Sequence, residues 1–329
     1  MGTETLMPLM GSSFELGSAA GAVESFPTEN QRVIARAELA YFQGRAEDAI
    51  EFAKPYLDAS NDGMRCSACL LSVYSNLSLG KIAEAKFSLD RLEEPTKSAS
   101  SPASYACACF TRDAALSLLH LNDKPVEIPA QVASELSVGV RMFYAYVKAH
   151  QAYLDGKYGY SLGLAESALS LAPKTYPIPA IYLHLVSCMD CMSLRDIEHA
   201  KRHFMDVWEL SAPDHFVEGV AEHHGLLGGL IETCVKPVDP ETYNRIIEIT
   251  YRFSAGWRRI HNPRRSEEVA DNLTTTEFSI AMLVNRGWTM RQVASFLEIS
   301  ENTVKTHMKS VYNKLGISKK SELSRFMLR

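Results

Sequence analysis

Between Gln31 and about Ile260, apolar residues return every three or four positions almost without interruption, the period of helices that each bury one face. No run alternates apolar and polar residues for long enough to predict a strand, so this region reads as all-α. A local phrase recurs within it: YFQGRAEDAI at Tyr41–Ile50, LSLGKIAEAK at Leu77–Lys86 and YLDGKYGYSL at Tyr153–Leu162. A weaker copy, MSLRDIEHAK at Met192–Lys201, has Arg195 in place of the Gly. Each phrase reads as the end of one helix, a tight turn, and a second helix whose small residue faces inward. Those small residues, Ala49, Ala85, Ser161 and Ala200, are 36, 76 and 39 positions apart. The double-length middle gap predicts a degenerate copy near Leu116–Asp123. Ahead of the periodic region, residues 1–30 are rich in Gly, Ser and Ala and are expected to be a mobile N-terminal arm. Behind it, Pro237 and Pro240 break the pattern before a last helix, ETYNRIIEITYRFSAGWRRI. The polar segment 261–272 (HNPRRSEEVADN, with Pro263) then reads as a linker.

A repeat of this length built from helix pairs resembles the tetratricopeptide repeat. The best copy runs from Ala145 to Pro173, where Ser161, Ala168 and Pro173 match that repeat's small residues and closing proline; Ala165 departs from its usual Phe. The resemblance implies that residues 31–260 are a helical-repeat domain whose stacked pairs share a core and leave a groove for a small-molecule or protein effector.

The tail, residues 273–329, is punctuated by helix starts. Thr274 with Glu277 and Thr289 with Gln292 form capping boxes, and Ser300-Glu301-Asn302-Thr303 opens a third helix that stops at Gly316; a fourth helix begins after Ser318. Four short helices with a tight Glu298–Ile299 turn between the second and third make a helix-turn-helix layout, whose third helix enters the major groove. Lys305, Thr306 and Lys309, spaced i, i+1 and i+4, share a side able to meet base edges, since Lys donates to guanine O6/N7 and a Thr methyl contacts thymine. Asn302 and Thr303 at the helix start can hydrogen-bond phosphate, Lys309 and Lys314 add charge, and Arg291 in the preceding helix reaches toward the backbone. Val304, Leu297, Val293, Leu283 and Leu315 read as core.

Leu273–Arg329 resembles the LuxR-type helix-turn-helix domain of bacterial transcriptional regulators. The resemblance is carried by LTTTE at Leu273–Glu277, Gly287, Val293-Ala294, Leu297 and above all ISENTVKTHMKSVYNKLGI at Ile299–Ile317. Thr275–Thr276 stand where Pro–Arg is common and Gln292 where Glu is usual. The resemblance implies base reading at Lys305, Thr306 and Lys309, and backbone contact at Thr303 and His307. It also implies a dimer contact from the fourth helix, where Leu323, Phe326 and Met327 serve equally well as core. Double-stranded promoter DNA and a second copy of the chain are the implied partners.

Charge supports this division. The 329-residue chain carries a formal −5, yet residues 273–329 hold nine Lys/Arg against four acids, a formal +5 on a body of −10. The longest apolar stretch, Ile178–Leu194, contains His184 and Asp190 and is shorter than the ~20 clean residues of a membrane span, so no membrane association is expected. An odd seven cysteines and no export segment suit a reducing cytoplasm. Cys66/Cys69 and Cys188/Cys191 are CxxC pairs and Cys107/Cys109 a CxC, but they sit in apolar helical runs without a Gly or Pro knuckle and read as small packing residues. His199/His203 and His223–His224 lack the HExxH pattern and read as helix-face histidines. No metal or cofactor is expected, and neither a phosphate-binding loop nor a nucleophile–base pair predicts an enzyme. The sequence therefore points to a two-part DNA-binding regulator. An interaction scaffold built on the repeats, and a cysteine-based redox- or metal-responsive regulator, are the alternatives.

Overall fold

The computed structural model describes residues 3–93, 101–121, 128–265, 269–270 and 272–327. No strand occurs among them. After α1 (Ala19–Ser25), helices pair as hairpins: α2 (Glu29–Phe42) with α3 (Ala46–Ala53), and α4 (Asp62–Ser78) with α5 (Ile82–Glu93). They are followed by α6 (Pro102–Leu118) and the single turn α7 (Ala130–Ala133), then α8 (Val138–Leu154) with α9 (Tyr158–Ser170), and α10 (Pro177–Leu194) with α11 (Ile197–Ser211). The body ends with α12 (Glu218–Leu227), α13 (Leu230–Cys234) and the long α14 (Pro240–Arg265).

The hairpin turns share one backbone device. Gly44, Gly80, Gly156 and Arg195 all have positive φ, between 64° and 75°, and His120, inside the expected degenerate copy, has φ 55°. In every case the next amide reaches back across the turn, as in Arg45 N–H to Ala40 O (2.9 Å), Leu121 to Leu116 (2.7 Å) and Asp196 to Cys191 (2.8 Å). This satisfies a carbonyl that the helix end leaves unpaired. Just past four of these turns, Ala49, Ala85, Ser161 and Ala200 are fully buried, so the second helix of each pair lies close on the first.

The inner helices do not leave an open groove. α4, α6, α8, α10, α12 and α14 contact one another in sequence, and α14 returns to α4, closing a circuit. Closure is tight where Gly256 of α14 crosses the end of α4: a Cβ there would lie 2.1 Å from the Leu77 carbonyl oxygen. The next residue, Trp257, donates its Nε1–H to Leu118 O at the end of α6 (3.2 Å). α10 is long and apolar enough to cross a membrane, yet it is one of the helices of this circuit and is 83% buried.

Two boundaries differ from the sequence expectation. The segment expected as a mobile arm (residues 1–30) is strapped into the core from Thr5 onward: Leu6, Met7, Leu9 and Met10 are buried. Leu9 and Met10 donate their amides to the two oxygens of Glu38 (both 2.9 Å), and Gly17 and Ala19 donate to Asp214 (2.8 and 2.9 Å). The expected linker, 261–272, is largely consumed: α14 continues through Pro263 to Arg265, and Val269 and Ala270 are buried, with Ala270 N–H on Phe326 O (3.0 Å). The CxxC and CxC thiols are all free and buried; burial pushes Cys66 up to about 11 and Cys69 and Cys191 to about 12, as befits packing residues.

Burial also fixes how the body responds to pH. It raises Glu38, Glu222 and Asp190 to about 8, even though Glu38 accepts two amides and Glu222 accepts the hydroxyls of Tyr41 and Tyr182. Unfolding releases these protons, so their contribution is complete below the ordinary carboxylate range and is lost as pH rises through about 8. His150 and His223, buried and held below 6.5, have the opposite sign: their contribution is lost as pH falls below 6.5. Urea unfolding is therefore expected to show stability falling as pH rises from 6.5 to about 8, where only the carboxyls titrate, and Asp190→Asn to flatten that loss.

Candidate nucleic-acid interface

The C-terminal module comprises α15 (Thr275–Asn285), α16 (Met290–Phe296), α17 (Glu301–Leu315) and a 3-10 segment, Lys320–Arg325. Thr274 Oγ1 accepts from Glu277 N–H (3.2 Å) while Glu277 Oε2 accepts from Thr274 N–H (2.8 Å); Thr289 and Gln292 repeat the exchange at α16. Ser300 Oγ accepts from Thr303 N–H (3.0 Å) to start α17. Between α16 and α17, Glu298 takes φ 55° and Ile299 N–H bonds Ala294 O (3.0 Å), which turns the chain within two residues. Ile280, Leu283, Val293, Phe296, Val304, Met308 and Val311 fill the core; Leu297 and Leu315, expected there too, are half-buried. The fourth element is a 3-10 segment in place of an α-helix, and Leu323 and Met327 are buried in the module.

With Val304, Met308 and Val311 anchoring one side of α17, the opposite side is left to solvent. Asn302, Lys305, Thr306 and Lys309 are exposed at i, i+3, i+4 and i+7, one stripe along the helix, with Thr303 exposed beside it and His307 half-buried at its flank. Thr306 Oγ1 donates to Asn302 O (2.9 Å). Lys305 lies 2.8 Å from Glu301 in an exposed i, i+4 pair, an interaction weak enough to exchange for another anion. Arg291 is exposed in the first turn of α16.

Lys314 is placed differently. Its ammonium lies 2.6 Å from Glu277, which also accepts from Ser310 Oγ (2.7 Å). Burial would raise the Glu277 carboxyl, but hydrogen bonds from Lys314, the Thr274 amide and Ser310 hold it down at about 2. Glu277 thereby joins the start of α15 to the end of α17, and Lys314 serves that joint before any phosphate.

Residues 271–327 match the family model of bacterial regulatory proteins, luxR family. The LuxR-family domain occupies this segment. Over 51 residues the chain is 41% identical to a protein named probable transcriptional regulatory protein SgaR, from Hyphomicrobium methylovorum. The match covers 16% of this chain and 24% of that protein, so the chain spans about a quarter of that relative's length. No solved structure matches.

The LuxR-family domain is docked on the helical body through residues that sequence patterning does not reveal. α15 packs on α12, and the Phe278 ring lies against Gly225, where a Cβ would come within 2.7 Å of it. Arg286 donates to Tyr153 Oη and to Leu226 O (both 2.7 Å), Arg195 reaches Arg286 O (3.3 Å), and Thr275 N–H donates to Tyr251 Oη (3.2 Å). Beside this junction lies a cavity of about 100 Å³ whose lining includes His150, Glu222, His223 and Trp257 of the body and Leu273 and Phe278 of the domain.

Two substitutions separate these roles. Glu277→Ala removes a cap partner and leaves Lys314 unpaired, and is expected to cost about 1–3 kcal/mol of stability, measured by chemical denaturation of the intact chain. Arg286→Ala is expected to accelerate amide exchange in α12 and α15 while leaving the remote hairpin α4/α5 unchanged.

Proposed function

We propose that the chain is a sequence-specific, DNA-binding transcriptional regulator acting in the cytoplasm, with α17 in the major groove. The observation that carries this reading is the exposed stripe Asn302–Lys305–Thr306–Lys309 on a capped helix of a LuxR-family domain whose segment is net positive on an otherwise acidic chain. In it, Lys305, Thr306 and Lys309 read base edges, while Asn302, Thr303, His307 and Arg291 position the helix on phosphate and sugar. Lys314 contributes through its joint with Glu277.

Half-sites about 34–36 Å apart would serve a homodimer. We read the helical body, tetratricopeptide-like in its hairpin length, as the sensing part. Its closed inner circuit favours a compact effector in the cavity beside α12 over an extended peptide in a groove. An effector filling that cavity touches both modules, which supplies the differential contact that a ligand-dependent change in docking requires.

Genome-wide footprinting of the intact protein beside the Lys305→Ala/Lys309→Ala variant tests the reading. Discrete peaks sharing a two-fold motif are expected for the native chain. The variant is expected to lose them, because each base-reading side chain contributes roughly 1–3 kcal/mol of discrimination. Identical occupancy by both proteins would overturn the assignment and favour a protein-interaction scaffold.

A further inference from the structure

We propose that His184, His203 and Asp206 form a binding site for a first-row divalent transition-metal ion, bridging α10 and α11. Sequence spacing groups His203 with His199, but the structure separates them. His199 turns to Asp196 at the exposed start of α11 (Nδ1 to Oδ2, 2.7 Å), whereas His203 turns onto α10. His203 and Asp206 stand at i, i+3 on one face of α11, and His184 meets them from α10. One ligand atom from each of the three residues lies within 4.8 Å of the other two.

The finer geometry fits a shared ion. His184 Nδ1 and His203 Nδ1 face each other at 2.9 Å, and Asp206 Oδ2 is 3.5 Å from His184 Nδ1. Two imidazole nitrogens each about 2.0–2.1 Å from one metal lie about 2.9 Å apart at a right angle and about 3.3 Å apart at the tetrahedral angle. Two facing ring nitrogens are otherwise compatible only when one of them carries the proton, whereas a cation accepts both lone pairs. On the far side of the His203 ring, Glu166 Oε1 of α9 stands 3.5 Å from Nε2. A carboxylate there keeps the proton on Nε2 and leaves Nδ1 free to ligate, the outer-shell arrangement that usually accompanies a metal-bound histidine.

Two imidazoles and one carboxylate suit zinc, cobalt, nickel or iron(II) better than calcium or magnesium, which prefer all-oxygen shells. Three protein ligands leave coordination positions open. The site faces a cleft of about 1010 Å³ whose lining includes His184, Asp206, Phe14 and Tyr176, so water or a small anion can complete the shell. No cysteine belongs to this group: Cys188, one turn along α10 from His184, donates its thiol to the Ala200 carbonyl (3.4 Å).

The test uses the full chain, freed of any affinity tag and stripped with chelator, titrated calorimetrically with Zn²⁺ and followed by absorption with Co²⁺. One ion per chain is expected, with a cobalt spectrum lacking a thiolate charge-transfer band. His184→Ala and His203→Ala are expected to weaken binding at least tenfold, and His199→Ala to leave it unchanged. Glu166→Gln, which removes no ligand and leaves the fold's packing intact, is expected to weaken it by roughly 10–100-fold. Saturating Zn²⁺ is expected to raise the melting temperature of the native chain and not that of His184→Ala. Absence of stoichiometric binding by both ions, a thiolate band, or full affinity in folded His184→Ala or Glu166→Gln would overturn the site.

Discussion

A helical hairpin cannot bury its own inner face, and the rest of the molecule depends on how that debt of exposed apolar surface is settled. Here the hairpins place α4, α6, α8 and α10 side by side, and α12 and α14 complete the circuit back to α4. Closure explains several separate features. It demands Gly256, because no side chain fits against the Leu77 carbonyl. It draws in the N-terminal residues Leu6–Met10, whose amides need the buried Glu38 as a partner. It also leaves α12 with one face in the circuit and another presented to α15, so that the same helix supports both modules.

Much of this was legible locally. Tight turns at Gly44, Gly80 and Gly156 follow from a residue type that tolerates positive φ, and the caps at Thr274, Thr289 and Ser300 follow from side chains able to satisfy free amides. Arg195 and His120 keep the turn geometry without the residue that makes it easy, which is why those copies were weak or invisible in sequence. What escaped was long-range. Nothing in the Gly/Ser/Ala-rich composition of residues 1–30 announces that Glu38 and Asp214 will hold them. The joint between Glu277 and Lys314 spans 37 positions, and Arg286 finds Tyr153 across 133. His203 likewise took a partner from the neighbouring helix rather than from its own.

The two modules divide the physical tasks cleanly. Buried valines and methionine hold α17 by one side, so the opposite stripe is presented as a rigid pattern that any ligand would find already ordered. The body grips the domain at α15 and around Arg286, away from that stripe. A change in the body can thus alter how the domain is held without touching the exposed stripe of α17. Cavity, junction and α12 lie together.

Hydrogen exchange of the intact chain, free and saturated with a DNA fragment recovered by footprinting, tests the central claim most directly. Slowed exchange confined to the first turns of α16 and α17, around Arg291 and Asn302–Lys309, is the predicted result, with the outer helices α3, α5, α9 and α11 unchanged. Protection centred on those outer helices, with α17 unaffected, would contradict it.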